Sequence, residues 1–445
     1  MILQVTFSNL FSFDAPQTIS FVAGKTAKHP EHVVKYPKRY DPNLVKSAIV
    51  YGANASGKSN IIKCFDFIRT FIVKGTQIDE SIPRVPFRLR KNASSESSFF
   101  EIVVRIKGKI YSYSIKFDNR SILEEKLIHI RATTEKTLFL RIGHENSTKV
   151  EVFGSFDNIE EKKFFDYIAR GTRPNQPFLT ETVTRNSKRY KDIYDWFKDS
   201  LVIIYPNAIY ANFGMYALPN QKMKEIYAEF FKNLDLGING ISEIEIDSSG
   251  IGEGFPQNLI QEIMKEATKN VQKNIVAPSG KRYRLIKDSE GKLHLFKLMT
   301  AHRLPDQSET ILFELTEESD GTMRLIDLIP ALVDLCENEK FYVIDELDRS
   351  MHAHLTRAFL EYFFSCSKTE SQILATTHEL DILDLDLLRK DEIWFVEKDK
   401  QAASHTYSLE EFKPRYDKDI RKGYLKGRFG AIPIVRNIRE QTWQN

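Results

Sequence analysis

The chain has 445 residues, 42% hydrophobic and 28% charged, and its 64 basic and 61 acidic residues leave a net charge of +3. This is the composition of a soluble globular protein with material for one large domain or two ordinary ones, and its balanced charge gives no whole-molecule field that would mark a nucleic-acid binder. Three cysteines (Cys64, Cys336 and Cys366) without a CxxC pair argue against a disulfide framework or a cysteine-based zinc site and fit a reducing cytosol, and no run of about 18 apolar residues is present to span a bilayer.

The opening segment MILQVTFSNLFSF alternates as a first strand, and without a basic leader or a small-residue cleavage site it predicts a cytoplasmic protein. A basic stretch, GKTAKHPEHVVKYPKRY at 24–40, reads first as solvated surface and second as a docking segment for nucleic acid or an acidic partner. An apolar strand, Ala48 to Tyr51, then runs into GANASGKSN, which matches GxxxxGK[ST] at Gly52, Gly57, Lys58 and Ser59. Glycines at these positions let backbone N–H groups face a phosphate chain, and a helix start adds partial positive charge. Lys58 is placed to reach the terminal phosphates and Ser59 to offer a hydroxyl to Mg²⁺. Ile61, Phe65, Ile68 and Ile72 recur at helical spacing and predict the buried stripe of the helix that follows. A glycine-rich structural turn is the plain alternative.

EIVVRIKGKIYSYSIKFDN alternates as a hairpin. From about 150 to 285 the segments IEEKKFFDYIARG, YKDIYDWFKDSL and QKMKEIYAEFFKNL predict helices without a sustained heptad pattern, hence an inserted helical lobe and no long coiled-coil arm. GIGEG at 250–254 lacks the full dinucleotide-loop spacing and reads as a plain loop. ELTEESDGTMRLIDLIPALVDL sets Ser319, Asp320, Gly321 and Thr322 at a helix start, with Leu325, Leu328, Ile329, Leu332 and Leu335 as its buried face. Such a start is either a capped helix or a phosphate-holding N-terminus.

The strand Phe341 to Ile344 ends in Asp345 and Glu346, which puts two carboxylates at the carboxyl edge of a sheet. Asp345 is expected to hold Mg²⁺ through water, and Glu346 to orient or deprotonate an attacking water. A further strand, Ile373 to Ala375, runs into Thr376, Thr377 and His378, placing the histidine near a terminal phosphate. The tail from Phe412 holds nine Lys or Arg against Asp417, Asp419 and Glu440, a local net of +6.

Taken in order, the phosphate loop, the serine-glycine helix start, VIDELD and TTH resemble the Walker A, signature, Walker B, D-loop and switch-histidine elements of an ABC-type ATPase, within the group similar to RecF, SMC and OLD proteins. ESDGT, DELDRSMH and YLKGRFGAIP further resemble the RloA-like and AriA-like AAA ATPases of bacterial antiphage systems. The resemblance covers about residues 1–130 and 290–435. It implies an α/β fold: a P-loop ABC-ATPase-like head, made of a mixed sheet flanked by helices plus an antiparallel β lobe, with an inserted helical lobe. The expected division is 1–150 for the N-terminal half of the head, 151–285 for the inserted lobe, 286–411 for the C-terminal half and 412–445 for a basic segment.

By the same resemblance, Gly52, Asn54, Ala55, Ser56, Gly57, Lys58, Ser59 and Asn60 bind ATP, Ser59 and Asp345 hold Mg²⁺, and Glu346, His378 and Lys58 are catalytic. Ser319, Asp320, Gly321 and Thr322 act in trans across a head-to-tail homodimer or higher homo-oligomer, and Asp348 links the two sites. Asp320 and Thr322 depart from the glycine and glutamine of transporter signatures, and Gln77 is the candidate for the Mg²⁺-contacting glutamine. The function implied is a nucleotide-switched sensor or scaffold in antiphage defence that controls a separately encoded toxin or nuclease in response to a phage-protein trigger, with no membrane role. A DNA-repair or chromosome-maintenance ATPase is the alternative, as is a component of an OLD-like nuclease, which would need an acidic metal-binding domain after the closing GAIP.

Overall fold

The computed structural model describes residues 1–38, 40–144, 147–207, 221–246, 272–277, 279–288, 290, 292–303, 309–366, 370–414 and 419–432. In chain order its elements begin with β1 (Ile2–Ser8), β2 (Gln17–Ser20), β3 (Val33–Val34), β4 (Leu44–Val45), β5 (Ser47–Tyr51) and α1 (Lys58–Lys74). Next come β6 (Ser98–Ile106), β7 (Lys109–Phe117), β8 (Ile122–Ile130), β9 (Glu135–His144) and β10 (Ser147–Val152), then α2 (Ile159–Gly171), α3 (Phe178–Thr184), α4 (Lys191–Asp195) and β11 (Leu201–Ile204). They are followed by α5 (Gln221–Asn233), β12 (Ile238–Ile246), β13 (Gln272–Val276), β14 (Arg282–Lys287), β15 (Leu293–Arg303), β16 (Thr310–Glu314) and α6 (Asp320–Glu337). The last are β17 (Phe341–Ile344), α7 (Ala353–Ser365), β18 (Gln372–Thr376), β19 (Ile393–Lys398), β20 (Ser404–Ser408) and α8 (Ile420–Leu425).

These elements form two compact units, one made of Met1–Pro206, Asn338–Leu347 and Phe364–Asn445, the other of Asn207–Glu337 and Asp348–Phe363. The first unit holds a seven-stranded antiparallel sheet in the order β10-β9-β8-β7-β6-β1-β2 and a six-stranded sheet in the order β11-β17-β18-β5-β19-β20. In the second of these sheets the strands run parallel except for β20 at the edge. β5, β17 and β18 are buried at every position, the pattern of parallel strands covered on both faces. β6 and β7 form the expected hairpin, closed at Lys107 and Gly108, both at positive φ as a type I′ turn requires.

Helix α1 buries Ile61, Phe65, Ile68 and Ile72, the stripe predicted from their spacing. Phe65 meets Phe100 of β6 at 6.4 Å between ring centres and Phe341 of β17 at 5.6 Å, so one aromatic side chain joins both sheets to the helix. This is the α/β head with an antiparallel β lobe that the motifs implied. The expected boundaries shift, however. Residues 151–206 belong to the first unit, because α3 and the residue before α4 pack Phe178 and Tyr190 on Phe139 of β9 at 5.0 and 5.2 Å.

The second unit contains α5 and α6 and an antiparallel sheet in the order β12-β15-β14-β13, with β16 also paired to β15. The 151–285 stretch therefore carries strands beside its helices: GISEIEI has the two-residue period of a strand. Tyr227 of α5 donates to the carbonyl of Ile326 at 2.9 Å, and Arg282 of β14 forms a two-pronged pair with Asp327 of α6 at 2.5 and 2.9 Å. Leu325, Leu328, Ile329, Leu332 and Leu335 are all buried, as expected. The loop at 250–254 lies outside the described residues.

The closing segment is not a free tail where it is described. Phe395 of β19 stacks on Tyr424 and Phe429 at 5.5 and 6.0 Å, Tyr424 donates to Ala431 O at 2.7 Å and Tyr407 to Phe429 O at 2.7 Å. Cys64 is buried and free. Among the described residues no helix is long and apolar enough to cross a membrane.

Glu125 of β8 and Arg141 of β9 are cross-strand partners on adjacent strands of the seven-stranded sheet, both fully buried and 3.6 Å apart. Glu125 accepts from the N–H groups of Phe178 and Leu179 at the start of α3, and Arg141 donates to the carbonyls of Arg173, Pro174 and Gln176. The pair thus fastens the chain before α3 to the sheet, while burial lifts the Glu125 carboxyl above its usual range. Replacing Arg141 with Leu removes the counter-charge of that carboxylate and the donors of the three carbonyls. We expect the first unit to lose about 3–5 kcal/mol in urea denaturation; a loss below about 1 kcal/mol would contradict a fastening role.

Candidate functional site

Register builds the site. In the parallel sheet Ile344 pairs with Ala375 and Thr376 with Val50, so the residues that follow β17, β18 and β5 emerge side by side at one carboxyl edge. Asp345 and Glu346 come from the first of these strand ends, Thr376, Thr377 and His378 from the second, and the loop from Gly52 to Gly57 from the third.

One hydroxyl ties the first two ends together. Thr376 Oγ1 donates to Asp345 Oδ1 at 2.7 Å and accepts from the backbone N–H of Glu346 at 2.8 Å. Ser59 of α1 donates to the same carboxylate oxygen at 3.2 Å, which brings the phosphate-loop hydroxyl to the acidic strand end. Asp345 is buried and Glu346 half-buried, with Glu346 held at φ 48°, a left-handed conformation uncommon for residues other than glycine and met at active sites.

The loop itself is fixed by contacts that its sequence does not announce. Lys58 is buried and its ammonium donates to the carbonyls of Gly52 at 2.7 Å and Ala53 at 3.1 Å, so the cation lies across the loop. Gly57 sits at φ 117°, and a β-carbon there would stand 2.3 Å from Ser404 Oγ, so no other residue fits. Ser404 Oγ donates to Ser56 O at 2.6 Å and bonds Ser12 Oγ at 2.8 Å, and Ser12 also accepts from the amide of Asn60 at 2.8 Å. Asn60 is thereby a brace of the loop. Asn54 and Ala55 are exposed, Ala55 at φ 62°, while Ser56 Oγ is buried with no hydrogen-bond partner among the described residues.

Beside the loop opens a cavity of about 730 Å³ lined by Tyr51, Gly52, Ala53, Asn54, His378 and Tyr424 among others. His378 is exposed at its rim, and burial pushes the Tyr424 phenol up to about 12, so Tyr424 is a neutral donor. The volume falls in the range of small-ligand sites, which run from about 300 to 1,000 Å³. The cavity meets the loop at Gly52, Ala53 and Asn54, and within the loop a buried ammonium, an orphaned hydroxyl and a helix start suit a phosphate chain. The Ser59 hydroxyl and Asp345 carboxylate are a hard oxygen set of the kind Mg²⁺ prefers.

Gln77 does not belong here. It lies beyond the C-terminal end of α1, where its carbonyl accepts from Asn175, and the 17 residues of the helix separate it from the loop by about 25 Å. In the second unit Ser319 is exposed and its hydroxyl accepts from the N–H of Thr322 at 3.1 Å while bonding Thr322 Oγ1 at 2.9 Å, a helix cap. Asp320 is also exposed. Gly321 touches the turn that follows Asp348: a β-carbon there would stand 2.5 Å from Ser350 O.

A model of the family described as "AAA domain, putative AbiEii toxin, Type IV TA system" matches residues 47–384. No curated protein matches the chain. Among solved structures the chain is similar to "SMC head domain from Thermotoga maritima", with 14% identity and a TM-score of 0.38 over 92% of this chain and 98% of that one. It is also similar to "Crystal structure of the SmcHead bound to the C-winged helix domain of ScpA", with 12% identity and a TM-score of 0.38 over 93% and 99%.

Thr376→Val keeps the shape of the side chain and removes the hydroxyl between Asp345 and Glu346. We expect a loss of about 1–3 kcal/mol in denaturant unfolding, because a buried carboxylate oxygen and an N–H lose a partner. Stability equal to the parent chain would show that the hydroxyl carries no weight.

Proposed function

The chain belongs to this AAA-domain family, and on that premise we propose that it binds and hydrolyses ATP at the phosphate loop. The observation that carries the reading is the hydrogen-bonded series Ser59, Asp345, Thr376 and Glu346, set beside a buried lysine within one strand-loop-helix. Gly52, Asn54, Ala55, Ser56, Gly57 and Lys58 would surround the phosphates, with Lys58 exchanging loop carbonyls for phosphate oxygens. Ser59 and Asp345 would hold Mg²⁺, which when bound neutralises charge on the phosphates. Glu346 would orient and deprotonate the attacking water, and His378 would donate to the terminal phosphate. Thr376 keeps the Glu346 backbone in place for that task.

A head-to-tail pair of chains would complete each site, Ser319, Asp320, Gly321 and Thr322 of one chain covering the nucleotide held by the other and Asp348 joining the two. Exposure of Ser319 and Asp320 at the start of α6 is consistent with this. Nucleotide binding would then favour the closed pair, which gives a partner two states to distinguish. On this reading the chain acts as the nucleotide-switched sensor or scaffold of an antiphage defence system, governing a separately encoded effector; the family description, which names a toxin–antitoxin system, supports only the link to such two-component systems.

Lys58→Ala is expected to weaken ATP binding in calorimetry by at least about tenfold, the worth of one charge-assisted hydrogen bond. Glu346→Gln should bind ATP normally and turn it over about 10²-fold more slowly or worse. Unchanged affinity in the first variant or unchanged turnover in the second overturns the corresponding assignment. For the effector, co-expression with the product of the neighbouring gene should yield a complex that the Glu346→Gln variant retains in ATP and the parent chain releases on hydrolysis. A complex indifferent to nucleotide would contradict the switch.

A further inference from the structure

A second cluster of chemistry-bearing side chains lies away from the nucleotide site, in the basic stretch that precedes the phosphate loop. A 3₁₀ turn at Pro30–His32 and the residue before it bring His29, Glu31 and His32 together. The Glu31 carboxylate oxygen Oε1 lies 3.4 Å from His29 Nδ1 and 3.5 Å from His32 Nε2, and the three atoms all lie within 4.8 Å of one another. His29 is held at φ 51°, a region rarely occupied by non-glycine residues, and this conformation lays its ring 4.9 Å from that of His32.

The outward nitrogens decide what the inward ones can be. His29 Nε2 is 2.8 Å from the carbonyl of Leu385, which only accepts, so Nε2 carries the proton. His32 Nδ1 is 2.8 Å from Glu392 Oε2, a fully buried carboxylate that also accepts from the Arg389 N–H and, through Oε1, from Ser47. His32 Nδ1 is therefore the donor there. In these tautomers a neutral His29 and a neutral His32 each turn a lone pair toward the Glu31 carboxylate oxygen, so three ligand atoms converge on one point. Both separations exceed the 2.7–2.9 Å or so of a charge-assisted hydrogen bond. They match instead the edge of about 3.4 Å between ligands on a tetrahedral Zn²⁺ with bonds of about 2.0–2.1 Å. Lys46, the nearby cation, spends its ammonium on the carbonyls of Phe364 at 3.4 Å and Cys366 at 2.9 Å.

We propose that His29 Nδ1, Glu31 and His32 Nε2 form a binding site for a divalent transition-metal ion of the Zn²⁺ class. Two imidazoles and one carboxylate are a ligand set for that class, and each imidazole already donates its other N–H to a fixed acceptor, the arrangement that sets tautomer and ring direction around bound metals. His32 is buried and stacked on Phe364 at 3.6 Å, while Glu31 is half-exposed and leaves an entry path. A bound ion would clamp the turn to Leu385 and Glu392, and through Glu392 to Ser47 at the start of β5. The role is structural and stands apart from nucleotide chemistry.

The test uses the full, tag-free chain without nucleotide. After exposure to Zn²⁺ and desalting, elemental analysis should find about one zinc per chain, and Zn²⁺ should raise the melting temperature by several degrees. His29→Ala and Glu31→Gln, the two more accessible ligands, should each lose most of both effects while keeping the far-UV circular dichroism of the parent. Asp345→Asn should keep the zinc, which separates this site from the phosphate loop. Co²⁺ should give the ligand-field absorption of a low-coordinate site in the parent chain and not in the two ligand variants. Zinc uptake equal in the parent and both variants overturns the proposal. So does an absence of zinc uptake with stability that instead falls as pH rises through the histidine range, since protons would then be filling the gap between the three acceptors.

Discussion

The hydroxyl of Thr376 sits where three parallel strands end, and the candidate site depends on it. It can bond Asp345 and the Glu346 N–H together only because β17, β18 and β5 share one register, with Ile344 beside Ala375 and Thr376 beside Val50. A slip of one residue in any of the three would turn alternate side chains to the other face and separate Asp345 from Ser59. That register is guarded by burial, because all three strands are mostly apolar and buried at every position. The cost of misplacing a strand is therefore paid by the core, and the polar site at the edge inherits the precision of the apolar packing behind it.

The same logic explains which parts of the molecule were legible in the sequence. The strand, loop and helix from Ser47 to Lys74 are contiguous, so glycine positions, a lysine and a helical apolar stripe disclose them together. Asp345 and Glu346 are legible for the same reason, as carboxylates at the end of an apolar run. Ser12 and Ser404 brace the loop from positions 392 residues apart, and no local pattern announces such a pair. Thr376 is visible as a residue two positions before His378, but its part in joining Asp345 to Glu346 follows from register alone. The placement of Gln77 fails for a geometric reason: a residue at the end of a long helix cannot serve the site at its start.

Domain limits were harder to read than elements. The segments at 159–171 and 221–233 are the helices their periodicity predicts. They belong to different units all the same, because the first is followed by residues that pack on the seven-stranded sheet and the second is joined to a separate antiparallel sheet. Helical period reports which face is buried and is silent about what buries it. Helix α6 shows a related limit: its cap at Ser319 and its apolar face are local facts, whereas any contact with a second chain's nucleotide is a property of an assembly.

A structure of the chain with ATP and Mg²⁺ tests the central claim most directly. The phosphates should lie in the loop from Gly52 to Ser59, with Lys58 released from the carbonyls of Gly52 and Ala53 onto phosphate oxygens, and with the metal at Ser59 and Asp345. Nucleotide bound elsewhere, or Lys58 still held by its own loop with ATP present, would contradict it.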